Sequence, residues 1–164
     1  MNVENEKEQV EREIEQAVNE LSLDEERAPE LLSKIELKPL RECIHRNYGD
    51  ARGKTRKYEP MPMAKTLIYK YLLDIHSRNQ VLRKLRNNLD DAQLLGYGLQ
   101  NGVPQNQNIQ YFISNKLDED AQELIEHTVE TIKEKCRQKD LLIDVQLVEE
   151  KAKGKENHQE LKNA

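Results

Sequence analysis

The sequence predicts an all-α protein, a small helical bundle with flexible acidic tails. Three observations predict it. Apolar residues recur at spacings of three and four through most of the chain, and glycine and proline fall between those runs or in their first turns. Only one short apolar stretch, 141–148, fits a strand, and it fits one more helical turn equally well. At 164 residues the chain suits one compact domain with tails, and with 36% hydrophobic against 35% charged residues its core must be modest. A net charge of −5 is too small for wholesale disorder.

Residues 1–23 read as an acidic amphipathic helix or arm. Val10, Ile14, Ala17 and Leu21 make one narrow apolar stripe, which predicts weak packing or fraying. Residues 24–138 read as one helical domain. Asp24, Glu25 and Glu26 suit the positive end of a helix dipole, and Leu31, Leu32 and Ile35 give that helix a buried side. Pro39 fits the first turn of the next helix, whose apolar face is Leu40, Cys43 and Ile44. Residues 47–62 fit neither period. Gly49, Gly53, Pro60 and Pro62 punctuate them, and the loop carries Arg52, Lys54, Arg56 and Lys57. Gly53-Lys54-Thr55 has the ending of a phosphate loop without its glycine-rich lead-in or preceding strand, so it is not read as one.

From Pro62 a buried helix is expected, with Met63, Leu67 and Tyr71 on one side and Ala64, Ile68, Leu72 and Ile75 widening the face. Ser77 caps the next helix; Val81, Leu82, Leu85 and Leu89 are its apolar side, and Arg78, Arg83, Lys84 and Arg86 its basic one. Ala92, Leu94, Leu95 and Tyr97 follow in a short element that Gly96, Gly98 and Gly102 break. Asn106 is the expected cap of a further helix with the stripe Ile109, Phe112, Ile113 and Leu117. Its other face displays Gln107, Gln110, Tyr111 and Ser114. Asp118 caps a long helix whose inner face is Ala121, Leu124, Ile125, Thr128, Ile132 and Cys136. Residues 139–164 are the short apolar run followed by a charged tail.

Charge is segregated along the chain. Residues 1–40 carry 5 basic and 12 acidic side chains, residues 41–86 carry 12 and 4, and residues 87–164 carry 9 and 15. A positive centre between acidic arms suits contact with a polyanion, and suits solvated helix faces equally well. No stretch approaches the ~20 apolar residues of a membrane span, and the acidic start is unlike a secretory signal. Cys43 and Cys136 read as reduced thiols packed on apolar faces. His45, His76, His127 and His158 have no metal-ligand spacing, so neither a metal nor a cofactor is expected.

The helices near 78–89, 91–96 and 106–117 suit a helix-turn-helix-like DNA-binding unit, although the gap between 96 and 106 exceeds the usual turn of about 3–4 residues. Glutamine amides can pair with an adenine edge in the major groove, which makes Gln107, Gln110, Tyr111 and Ser114 the candidate base readers. Arg78, Arg83, Lys84, Arg86 and Lys116, with Arg52, Lys54, Arg56 and Lys57 of the loop, are the candidate phosphate contacts. A solvated surface helix is the competing reading.

The run Pro62-Met63-Ala64-Lys65-Thr66-Leu67-Ile68-Tyr69, the Arg-rich Ser77–Asn88, then Leu94-Leu95-Gly96-Tyr97 and Val103–Phe112, resembles the amino-terminal domain of transposases of insertion-sequence families four and five. That resemblance implies binding to transposon-end DNA. Cleavage and strand transfer would need a following ribonuclease-H-like domain, whose three carboxylates hold two metal ions. Asp144 follows an apolar run, but only 20 residues lie beyond it and they carry no succession of strands. The expectation is therefore a truncated, non-enzymatic protein that prefers insertion-sequence ends. Its partners are double-stranded DNA, a second copy or a separately encoded catalytic domain, with no membrane, in a prokaryotic cytoplasm at the nucleoid. A helical protein-interaction module or a functionless remnant is the alternative.

Overall fold

The computed structural model describes residues 3–20, 28–48 and 58–138. These form eight α-helices and, among the described residues, no strand: α1 Val3–Glu20, α2 Ala28–Ser33, α3 Lys38–Arg46, α4 Pro60–Leu72, α5 Arg78–Arg86, α6 Leu89–Leu95, α7 Asn106–Lys116 and α8 Glu119–Gln138. The basic loop cations, the apolar run 141–148 and the charged tail lie outside the described residues. So do Leu21, Asp24, Asp144 and His158.

Helix α4 is the hub. It opens on Pro60 with Pro62 in its first turn, and buries Met63, Ala64, Thr66, Leu67, Ile68, Tyr69 and Leu72. Helices α1, α3 and α8 pack together on one flank of it, and α2, α5, α6 and α7 make up the other. One continuous core runs through both flanks. Three details differ from the sequence expectation. The helix starts two residues before Pro62, since Pro60 occupies its first position. Tyr71 is 49% exposed while Tyr69 is buried, because a face this apolar wraps past the stripe that spacing alone would choose. Leu89 is 55% exposed; Asn87 ends α5 and Asn88 caps α6, so Leu89 opens a new helix instead of extending the old apolar side.

Helix α1 departs most from expectation. Its stripe does not fray: Val10, Ile14, Ala17 and Val18 are all buried, against α8 and α3. The partner supplies what the narrow stripe lacks, a wide apolar face of Ala121, Leu124, Ile125, Thr128, Val129, Ile132 and Cys136. Three polar pairs flank the seam: Lys7 Nζ to Glu123 Oε1 at 2.8 Å, Glu11 Oε1 to His127 Nε2 at 2.9 Å, and Glu15 to Lys135 at 3.8 Å. Partner numbers rise together, so the two helices run parallel although most of the chain separates them. Helix α1 also caps α3. Leu37 sits at φ 53°, and its N–H and that of Lys38 donate to the Glu13 carboxylate at 2.9 and 3.3 Å, which satisfies two orphan donors of the α3 N-terminus.

Candidate nucleic-acid interface

Helix α5 begins with a reciprocal cap: the Ser77 hydroxyl accepts from Gln80 N–H at 3.1 Å, and the Gln80 side chain accepts from Ser77 N–H at 3.2 Å. Val81, Leu82 and Leu85 anchor its inner side, which leaves Arg83, Lys84 and Arg86 outside. Asn88 then caps α6 by accepting from Asp91 N–H. Gly96 closes α6 at φ 111°, and an added Cβ there would lie 2.9 Å from Pro62 Cγ. Glycine is required at that point twice over, by conformation and by the approach of α4.

Helix α7 is held against α4 and α5 through Ile109 and Phe112. Its expected cap is displaced by one residue. Gln105 is the cap position, and its N–H donates to Asn108 Oδ1 at 3.0 Å, so Asn106 begins the helix. Opposite the buried stripe, Gln107, Gln110, Tyr111 and Ser114 are all exposed, Tyr111 by 61%. The amides face outward, and α1 packs elsewhere, against α3 and α8.

The sequence-predicted cations separate by environment. Arg83 and Lys84 are exposed. Arg86 donates to the Pro104 carbonyl at 2.8 Å and to Gln105 Oε1 at 3.4 Å, so it ties the last turn of α5 to the entrance of α7. Lys116 is half-buried, with its ammonium 3.4 Å from the Asn47 carbonyl and 4.7 Å from the centre of the Tyr48 ring. Asn47 returns a bond to the Lys116 carbonyl at 3.0 Å. Lys116 thus fastens the end of α7 to the end of α3. Arg78 is half-buried beside Lys70, whose pKa is lowered by burial and then by that guanidinium. Lys70 was missed because it sits within the apolar run of α4; its ammonium rests 4.6 Å from the Tyr71 ring centre.

No group of three or more His, Cys, Asp or Glu among the described residues could hold a metal ion. Cys43 and Cys136 are both buried and unbridged. The Cys43 thiol lies 3.6 Å from Asp118 Oδ1 and its pKa is pushed up, chiefly by burial. His127 serves the α1–α8 seam. Among the described residues no helix is long and apolar enough to cross a membrane.

The described residues thus turn the amide-bearing face of α7 outward, with the exposed cations Arg83 and Lys84 on α5, the helix that packs against it. The chain belongs to the transposase domain family DUF772, whose model matches residues 7–115. The match runs from α1 to the last turn of α7. No curated protein and no solved structure matches the chain.

Proposed function

We propose that this protein binds double-stranded DNA through the outward face of α7, with α5 as its backbone clamp, and that it prefers insertion-sequence ends. On this reading it is akin to the amino-terminal domain of transposases of insertion-sequence families four and five. Helices α5, α6 and α7 make its helix-turn-helix-like unit. The observation that carries the reading is one juxtaposition. Gln107, Gln110, Tyr111 and Ser114 are exposed on α7, while Arg86 joins that helix's entrance to the turn of α5 bearing exposed Arg83 and Lys84. Amides reach base edges and cations reach phosphate, so each helix has the chemistry its role needs.

The roles of the cations are refined accordingly. Arg83 and Lys84 meet phosphate directly, with Arg78 and Lys70 beside them and Arg52, Lys54, Arg56 and Lys57 adding contacts from the loop. Arg86 and Lys116 instead position α7 through the bonds they already make. Strand transfer would need a ribonuclease-H-like domain, whose three convergent carboxylates hold the metal ions.

The test is a titration of duplexes carrying insertion-sequence ends against scrambled duplexes over a range of salt. Preference for the ends, lost in Gln107→Ala with Gln110→Ala, supports the reading. Salt-sensitive binding without preference leaves only a cationic surface, and no binding at low salt removes DNA from the function.

A further inference from the structure

Between α4, α7 and α8 lies a groove of about 390 Å³ that no part of the described chain fills. Leu67, Tyr71, Ile113, Leu117, Ile125 and Val129 supply its apolar lining, and Tyr71 and Ile113 remain open to solvent there. Gln122 and Lys133 mark its extent along α8. It lies apart from the exposed face of α7, none of whose four polar residues lines it.

We propose that the apolar segment Leu141–Val148 turns back along α8 and seats in this groove. Six of its eight residues are apolar, in a tail otherwise almost wholly polar and charged. Its position fits. Helix α8 is described as far as Gln138, so the five residues after Lys133 carry the chain about 7.5 Å beyond it at 1.5 Å per residue. Lys139 and Asp140 are the two residues left for the proposed reversal. The groove spans about 16 Å of helix between Gln122 and Lys133, and eight extended residues reach about 26 Å. In an extended segment Ile143, Val145 and Leu147 share one side, which faces the groove, while Asp144 and Gln146 face water. A separate partner would also have to overcome the loss of translational freedom on binding, whereas a tether this short holds the segment at an effective concentration in the millimolar range.

Paired cysteines in the full-length chain test this. Glu126→Cys places a thiol at the groove, and Glu134→Cys places one on α8 away from its lining; both sites are exposed. Each is combined with Val145→Cys. The tether alone favours Glu134→Cys, which is closer in sequence. Seating in the groove predicts the reverse, with an intramolecular disulfide forming at least tenfold faster at Glu126→Cys. Equal rates, or a faster Glu134→Cys pair, overturn the proposal, and a disulfide between two chains overturns it in favour of a second copy. Independently, Ile143→Asp with Leu147→Asp should raise binding of an apolar fluorescent dye several-fold at unchanged helix content. Unchanged dye binding would likewise count against it.

Discussion

Helices α4 and α6 end on the same pair of backbone bonds, yet only one uses glycine. At α4, Asp74 N–H reaches the Tyr71 carbonyl at 3.3 Å and Ile75 N–H the Lys70 carbonyl at 2.9 Å, with Asp74 at φ 54°. At α6, Gly96 and Tyr97 make the equivalent bonds to Gln93 and Ala92 at 2.9 and 3.1 Å. The left-handed residue of this motif is cheapest as glycine. Asp74→Gly should therefore raise stability by about 0.5–1 kcal/mol, and Gly96→Ala should lower it by about 2 kcal/mol because it adds strain to a contact with Pro62; urea denaturation reads both. Asp118 gives a pH dependence. Burial pushes its pKa up, but bonds from Ala121 N–H, the Asn47 amide and the Cys43 thiol, with the Arg46 charge, hold it below its ordinary 3.8. Because the folded-state pKa is depressed, the carboxylate stabilises the fold fully above the ordinary 3.8, and the contribution is lost as pH falls through the lower folded-state value. Asp118→Ala should cost about 1 kcal/mol near neutrality, as a lost cap. Melting curves of the two proteins should converge only below about pH 4.

At the scale of elements, α1 depends on its apolar seam more than on its ion pairs. Ile14 is fully buried, and Ile14→Ala should cost about 2–4 kcal/mol in chemical denaturation. Lys7→Ala, which removes the 2.8 Å pair to a half-exposed Glu123, should cost far less, because a solvent-facing ion pair is screened. The comparison decides whether α1 is core or appendage. Sequence reasoning found every helix from α3 onward to within a few residues, because capping residues and wide apolar stripes are local: Ser77, Asp118 and the Ile109–Phe112 stripe all act as expected. It underrated α1 for a physical reason. A stripe one residue wide packs tightly only if a broad partner is waiting, and α8 lies more than a hundred positions away. The cap of α3 by Glu13 was illegible for the same reason, as were the bond between Thr66 and Tyr97 and the fastening of α7 by Arg86 and Lys116. Long-range polar contacts leave no periodic trace.

At the scale of the molecule, acidic side chains gather on α1 and α8 among the described residues. Helices α1 and α8 lie side by side and expose Glu4, Glu8, Glu15, Glu119, Asp120, Glu123 and Glu130, while the basic turn of α5 and the amides of α7 occupy the other flank of α4. A surface richer in negative charge on one side favours the approach of a polyanion to the other. The proposed interface thus separates into two measurable terms. Phosphate contacts release counterions, so log K falls with log salt at about −0.9 per neutralised phosphate. Arg83→Ala and Lys84→Ala should each make that slope shallower by about 0.9 and weaken end and scrambled duplexes alike. Gln107→Ala and Gln110→Ala should leave the slope unchanged and remove about 1–3 kcal/mol of discrimination apiece. Arg86→Ala should behave differently from both. Its guanidinium already holds the entrance of α7, so its loss should reduce discrimination and lower the melting temperature together. If all five substitutions shift affinity in proportion, with no separation of slope from preference, the two helices do not divide the work, and the protein holds DNA by charge alone.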